Sequence, residues 1–223
     1  MKKKTLLSWS SGKDCAWALQ LLRQDPATEL VGLFTVVNQR FDRVSMHGTR
    51  SQLVHLQATA TGLPLQLLEI PDQCAHEQYE AVMRQFIDGV LAKGVECIAF
   101  GDLFLEEVRQ YRQDKLRGTG IEPAFPVWGI PTTQLAEQML AAGVEAYISS
   151  VDLKKLPASY AGQRWSRELL DQLPEGIDPC GENGEIHTVV VGGPMFARPI
   201  PVEVGEVVER SGFAFADVVP VGG

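Results

Sequence analysis

The chain has 223 residues, 45% hydrophobic and 22% charged, with a formal net charge of −8. That length buries a real core and suits one α/β domain with an appendage, while the acidity disfavours a general nucleic-acid binder, which needs excess Lys and Arg to neutralise phosphates. Cys15, Cys74, Cys97 and Cys180 form no CxxC pair, so reduced thiols in a cytoplasmic protein are expected rather than a zinc knuckle or a disulfide framework.

The basic N-terminus, Met1 to Lys4, leads into an apolar run of five residues, too short for a signal-peptide core. No run approaches membrane-spanning length. Residues 5–9 read as a strand, broken by Ser10-Ser11-Gly12-Lys13-Asp14, and residues 15–23 have helical spacing. Residues 30–37 are almost continuously apolar and rich in β-branched side chains, the pattern of a strand buried on both faces. The order repeats: a helix over 49–61 ended by Gly62, a strand over 65–70 stopped by Pro71, a long amphipathic helix over 77–93 capped by Gly94, and a strand over 97–100. Helices are expected near 104–118 and 132–142, with another strand over 146–151. Strands alternating with helices predict a doubly wound, mostly parallel α/β sheet, whose ligands bind beyond the carboxyl ends of the strands. After residue 175, Gly, Pro and short apolar runs (186–191, 198–204, 213–221) replace helical patterning, which predicts a smaller β-rich portion. We therefore expect an ATP-binding domain over 1–152 and a substrate-binding portion over 153–223.

Ser10 to Cys15 follow the first strand and open a helix. A helix start offers free N–H groups and the positive end of the macrodipole, so small residues there suit phosphate. Lys13 adds charge, and Asp14 suits either capping or a Mg²⁺ ion that bridges phosphates. The P-loop pattern fails, because Gly12-Lys13 is followed by Asp14 and Leu7 stands where its first glycine belongs. GxGxxG fails as well. An ordinary strand-to-helix turn with a capping Asp is the plainer alternative.

The loop is similar to the SGGxDS loop of PP-loop ATP pyrophosphatases, with Ser11 at the first Gly position and Cys15 at the last Ser position. Together with Met46-His47, Gly101-Asp102-Leu103-Phe104-Leu105-Glu106, Pro126-Val127-Trp128 and the string 178–188 (DPCGENGEIHT), it resembles the diphthine–ammonia ligase family of N-type ATP pyrophosphatases. The resemblance runs from about Thr5 to Thr188. It implies an adenine nucleotide α-hydrolase-like, Rossmann-like fold. It also implies an ATP-dependent ligase that adenylylates a carboxylate, amidates it with ammonia, and releases AMP and pyrophosphate. ATP and Mg²⁺ are the expected cofactors. The acceptor would be diphthine on an elongation factor where the host makes diphthamide, and otherwise another small-molecule or protein carboxylate.

On this reading Ser10, Ser11, Gly12, Lys13, Asp14 and Cys15 bind ATP with His47, Gly101 and Asp102, and Asp14 and Asp102 are the metal candidates. Tyr111-Arg112 and the loop Cys180, Gly181, Glu182, Asn183, Gly184 and Glu185 serve the substrate, with Lys13, Asp14, Glu182, Glu185 and His187 as catalytic candidates. Simpler roles compete. Asp102 suits a helix cap, charges on the helix after it suit surface ion pairs, and the Gly-punctuated loop suits a turn. His47 suits a surface position, and Cys180 a structural thiol. Cys15 opens a helix beside Lys13, which favours its thiolate, although its position matches a phosphate-binding hydroxyl. A tRNA-modifying PP-loop enzyme and a non-catalytic ATP or AMP sensor are the rival functions. The sequence leaves a homodimer open.

Overall fold

The computed structural model describes residues 1–44, 47–72 and 74–221; Met46, which contributes to the resemblance, lies outside them. The first half builds β1 (Lys3–Ser8), α1 (Lys13–Gln24), β2 (Thr28–Asn38), β3 (Arg43–Val44), α2 (Ser51–Thr61), β4 (Leu65–Ile70), α3 (His76–Leu91), β5 (Cys97–Ala99), α4 (Glu106–Leu116) and β6 (Glu122–Ala124). After α5 (Thr132–Ala141) come β7 (Glu145–Asp152), β8 (Arg164–Trp165), α6 (Arg167–Leu170), β9 (Ile186–Gly192), β10 (Val202–Arg210) and β11 (Phe213–Pro220).

Two sheets result. In the first, β1 pairs in parallel with β2 on one side and β5 on the other, and β4 and β6 extend the two flanks in parallel. β3 adds two antiparallel residues at the end of β2. The chain leaves β1 toward β2 and later returns to the opposite side of β1 as β5. The loop after β1 therefore stands at the topological switch point, where open α/β sheets bind ligands. The second sheet is antiparallel, in the order β10-β11-β7-β8, with β9 also on β7.

The α/β class and the β-rich C-terminal portion follow the sequence pattern. Gly62 and Gly94 take positive φ at 71° and 76°, a conformation that costs glycine little. The strand at 146–151, expected to continue the parallel series, instead lies inside the antiparallel sheet as β7. Its apolar run is buried in both settings, so composition does not separate them. β10 starts later than the apolar run at 198–204 and continues through Glu206 and Glu209, because an edge strand can be polar on both faces.

One core joins the sheets. Leu7, Trp9, Leu19 and Leu33 from the first half are buried with Leu135, Ile148, Val189 and Ala214 from the second. A second cluster, centred on Phe34, Phe86 and Ile98, fills the space under α3. Gln57 of α2 is fully buried between the halves. It accepts from the Trp9 indole N–H at 2.8 Å and donates to the carbonyls of Ser11 (3.1 Å) and Val190 (2.7 Å). Asp217 of β11 accepts from Arg43 at 3.0 Å and from Arg50 at 2.5 Å, a second tie between the halves. Among the described residues, no helix is long and apolar enough to cross a membrane.

Candidate active site

β1 ends at Ser8 and α1 begins at Lys13, so residues 9–12 must turn sharply at the sheet's edge. Ser11 makes the turn at φ 74°, a left-handed conformation that costs a non-glycine residue about 1 kcal/mol. Its surroundings hold it there. The Ser11 hydroxyl lies 2.8 Å from that of Thr49, and its carbonyl accepts the Val190 N–H at 2.9 Å besides Gln57. Gly12 is the N-cap of α1, and a Cβ there would lie 3.0 Å from the His47 ring and 3.3 Å from the Thr188 carbonyl. The loop is closely roofed, and the C-terminal half supplies part of the roof.

Lys13 is 1% exposed. Its N–H donates to the Thr188 hydroxyl at 3.1 Å. Its ammonium donates to Asp14 at 3.0 Å and to the Cys180 carbonyl at 2.5 Å, above the Trp165 ring at 5.4 Å. Burial opposes that charge, but Asp14, Cys180 and Asp178 more than offset it, and the ammonium pKa stays above its ordinary value. Burial also pushes the Asp14 carboxyl up, against the pull of Lys13. Asp14 Oδ1 is buried with no hydrogen-bond partner among the described residues.

The cysteine expectation changes. Burial drives the Cys15 thiol up to about 11 despite Lys13 next to it, so its thiolate is disfavoured. Cys15 donates to the Gly12 carbonyl at 3.1 Å and accepts from the Ser10 hydroxyl at 3.3 Å, which ties the loop to the helix. Burial raises the Cys180 thiol too.

The opposite wall is the loop after β5. Gly101 faces α1 so closely that a Cβ would lie 2.8 Å from the Cys15 nitrogen; only glycine fits there. Asp102 forms an ion pair with Arg112 of α4 at 3.5 Å, and Arg112 lies over the Phe100 ring at 4.8 Å. Asp102 Oδ2 is buried without a hydrogen-bond partner among the described residues, and burial raises its carboxyl. Arg109 stacks on Trp128 at 4.6 Å, which connects α4 to the segment 126–128.

The third wall is the 180–188 segment. Glu182 accepts the Leu103 N–H at 2.8 Å and so bridges the halves; burial pushes its carboxyl up to about 7. The His187 and His47 rings lie against each other, centroids 4.7 Å apart and tilted by 44°, and His47 Nδ1 lies 3.2 Å from the Thr188 carbonyl. Burial takes both imidazoles down, His47 to about 3 and His187 to about 4.

These walls enclose a cavity of about 200 Å³, lined by Ser10, Lys13, Asp14, Cys15, His47, Gly101, Asp102, Arg112, Cys180, Gly181, Glu182 and His187 together with Ser8, Phe100, Ile186 and Thr188. Twelve of the residues singled out from the sequence thus meet in one place. Six others do not line it. Ser11 and Gly12 support the loop from beneath. Tyr111 is exposed and faces a neighbouring chamber of about 400 Å³ between α3 and α4, which shares Ser8, Phe100 and Arg112 with the cavity. Asn183 and Gly184 form the outer turn, where the Asn183 carbonyl accepts from Lys155 at 2.7 Å. Glu185 is 2% exposed and turned inward, with Oε1 accepting from the Asn183 amide at 3.1 Å.

Sequence reasoning gave no role to Gln57 or Trp165, nor to Asp178 and Thr188, which stand at the two ends of the string 178–188. Asp178 had a local signal. Its side chain accepts the N–H two residues on, at Cys180 (3.2 Å), which is the Asx-turn pattern that Asp-Pro-Cys-Gly permits. The other three act across the fold and carry no local signal.

The residues match two family models, the diphthamide synthase N-terminal domain over residues 2–123 and the diphthamide synthase C-terminal domain over residues 131–217. Curated relatives named diphthine–ammonia ligase include those of Bos taurus, 28% identical over 129 residues (56% of this chain, 48% of the relative), and Homo sapiens, 23% over 185 residues (78% and 67%). The Danio rerio relative is 27% identical over 182 residues, 75% of this chain and 71% of its own. The chain spans about half the length of the bovine relative. With both halves matched in order, this chain belongs to the diphthamide synthase family.

Proposed function

We propose that the chain is an ATP-dependent ligase that cleaves ATP between the α and β phosphates, adenylylates a carboxylate, and amidates it with ammonia. The observation that carries this reading is the 200 Å³ cavity, where a phosphate-type helix start, Arg112 and Glu182 converge. The Ser10 hydroxyl and the start of α1 hold the departing pyrophosphate, where negative charge grows as the bond breaks. The adenosine extends into the adjoining chamber, reached past Ser8 and Phe100. Arg112 neutralises the α-phosphate as the acceptor carboxylate attacks it.

Asp14 Oδ1, a buried acceptor without a hydrogen-bond partner among the described residues, and Asp102, whose Oδ2 faces the Arg112 guanidinium at 3.5 Å, line the same cavity, which fits Mg²⁺, an ion that needs only one or two carboxylates beside phosphate oxygens and water. The ion would supply charge neutralisation of the phosphates. Among the described residues, no cluster of three or more His, Cys, Asp and Glu could hold a metal without such help.

In the second half-reaction ammonia attacks the acyl carbon, the bond to AMP breaks, and a proton must leave the new amide nitrogen. Glu182, with its carboxyl near 7, accepts it. Neutral His47 and His187 keep the cavity free of added positive charge, so uncharged ammonia is not disfavoured there. The acceptor is diphthine on an elongation factor in a host that makes diphthamide, and another carboxylate elsewhere.

The test is product analysis by mass spectrometry after incubation with ATP, Mg²⁺, ammonium and an extract of the host. AMP and pyrophosphate that appear only with extract support the ligase. ADP and phosphate, or bound but intact ATP, would move the reading to a nucleotide sensor.

A further inference from the structure

Asp178 is 8% exposed and lies outside the cavity wall. Its carboxylate nevertheless collects the backbone of the loop that forms that wall. Oδ1 accepts the Cys180 N–H at 3.2 Å, Oδ2 accepts the Glu182 N–H at 2.8 Å, and the Asp178 carbonyl accepts the Gly181 N–H at 2.9 Å. One residue thus takes three successive N–H groups. Each bond fixes a peptide plane, and each plane aims a functional group. The Gly181 N–H, held by the Asp178 carbonyl, shares its peptide plane with the Cys180 carbonyl, which points at the Lys13 ammonium 2.5 Å away. With its N–H held by Oδ2, Glu182 reaches the opposite wall at the Leu103 N–H, 2.8 Å away.

We infer that Asp178 is a positioning residue, which holds the proton acceptor Glu182 in register with the phosphate loop through Lys13. The inference rests on the ligase reading for its catalytic consequence, but its geometric consequence stands apart from that reading. A carboxylate is required because both oxygens accept. An asparagine at 178 accepts one N–H, and its NH₂ then faces the other donor. The loop keeps its sequence and loses its aim, and misplacement by about 1 Å is enough to cost on the order of 100-fold in rate.

The first measurement does not need turnover. Hydrogen exchange of the Leu103 amide should lose protection in Asp178→Asn as it does in Glu182→Ala, which removes the acceptor, although Leu103 lies on the opposite wall, while β9 and β11 amides stay protected. A Leu103 amide that stays protected in Asp178→Asn overturns the inference. The second is kinetic. Asp178→Asn should lower kcat for acceptor-dependent AMP formation about 10- to 100-fold with KM for ATP changed less than about threefold, and adding Glu182→Gln should cost nothing further, because coupled residues are not additive. Additive losses, or a rise in KM alone, overturn it. A wild-type protein that makes no AMP from ATP sinks the ligase reading, and the exchange experiment still decides the positioning role.

Discussion

The Lys13 ammonium donates to the Cys180 carbonyl at 2.5 Å, joining the start of α1 to a loop 167 residues later in the chain. The same ammonium holds Asp14. It is therefore a strut as well as a charge, and the two roles give different signatures on mutation.

Lys13→Met keeps the length of the side chain and removes the charge. It leaves the Cys180 carbonyl and a half-buried Asp14 without their donor, a loss of at most about 3–5 kcal/mol, the cost of breaking a fully buried pair. Urea denaturation should show that loss together with loss of AMP formation. A variant of wild-type stability would show that the strut contributes little.

Gly181 has φ 74°, and a Cβ there would lie 2.6 Å from the Ile186 carbonyl and collide with its side chain. Gly181→Ala should displace the 180–185 loop and cost on the order of 2–3 kcal/mol, combining left-handed strain with the clash. We expect thermal unfolding to register this cost and ATP turnover to fall further than stability does. Gly184, with open space around it, is the internal control.

Gln57→Leu should destabilise the protein by about 2–4 kcal/mol, since it orphans the buried Trp9 indole N–H, removes the Gln57 donor from the Val190 carbonyl, and leaves the Ser11 carbonyl with the Val190 N–H alone. Because one of those carbonyls belongs to Ser11, the variant should also bind ATP more weakly, measurable by calorimetry. Unchanged ATP affinity would argue that the remaining Val190 and Thr49 contacts hold Ser11 unaided.

The histidine pair predicts a pH dependence. Burial lowers His47 to about 3 and His187 to about 4, each against an unfolded value of about 6.5. Between those values the unfolded chain binds protons that the folded chain refuses, so stability falls as pH drops from about 6.5 toward about 4. The slope is at most about 1.4 kcal/mol per pH unit for each histidine. His47→Gln and His187→Gln should each flatten it in denaturation series between pH 4 and 7. Parallel curves for wild type and variants would remove the histidines from the account.

Asp102→Asn tests the metal reading. Calorimetric ATP binding should lose much of its Mg²⁺ dependence, beyond the stability cost of removing the charge partner of Arg112, because a neutral amide is a weak Mg²⁺ ligand. Retained dependence would leave Asp14 as the sole carboxylate candidate.

The sequence by itself determined the alternating α/β order, the small-residue loop between β1 and α1, and the CGENGEIHT string. These rest on local physics: apolar period, glycine at positive φ, and small residues at a helix start. The tertiary structure decided the rest. It placed β7 in the antiparallel sheet, since a buried strand reads alike in either setting. It turned Glu185 inward and Glu182 toward the cavity, although the two stand three residues apart in one loop. It made Lys13 a strut between halves, and it gave Thr188 and Gln57 their partners. Local patterns cannot carry such information, because hydrogen bonds between residues 46 to 175 positions apart depend on where the two sheets meet.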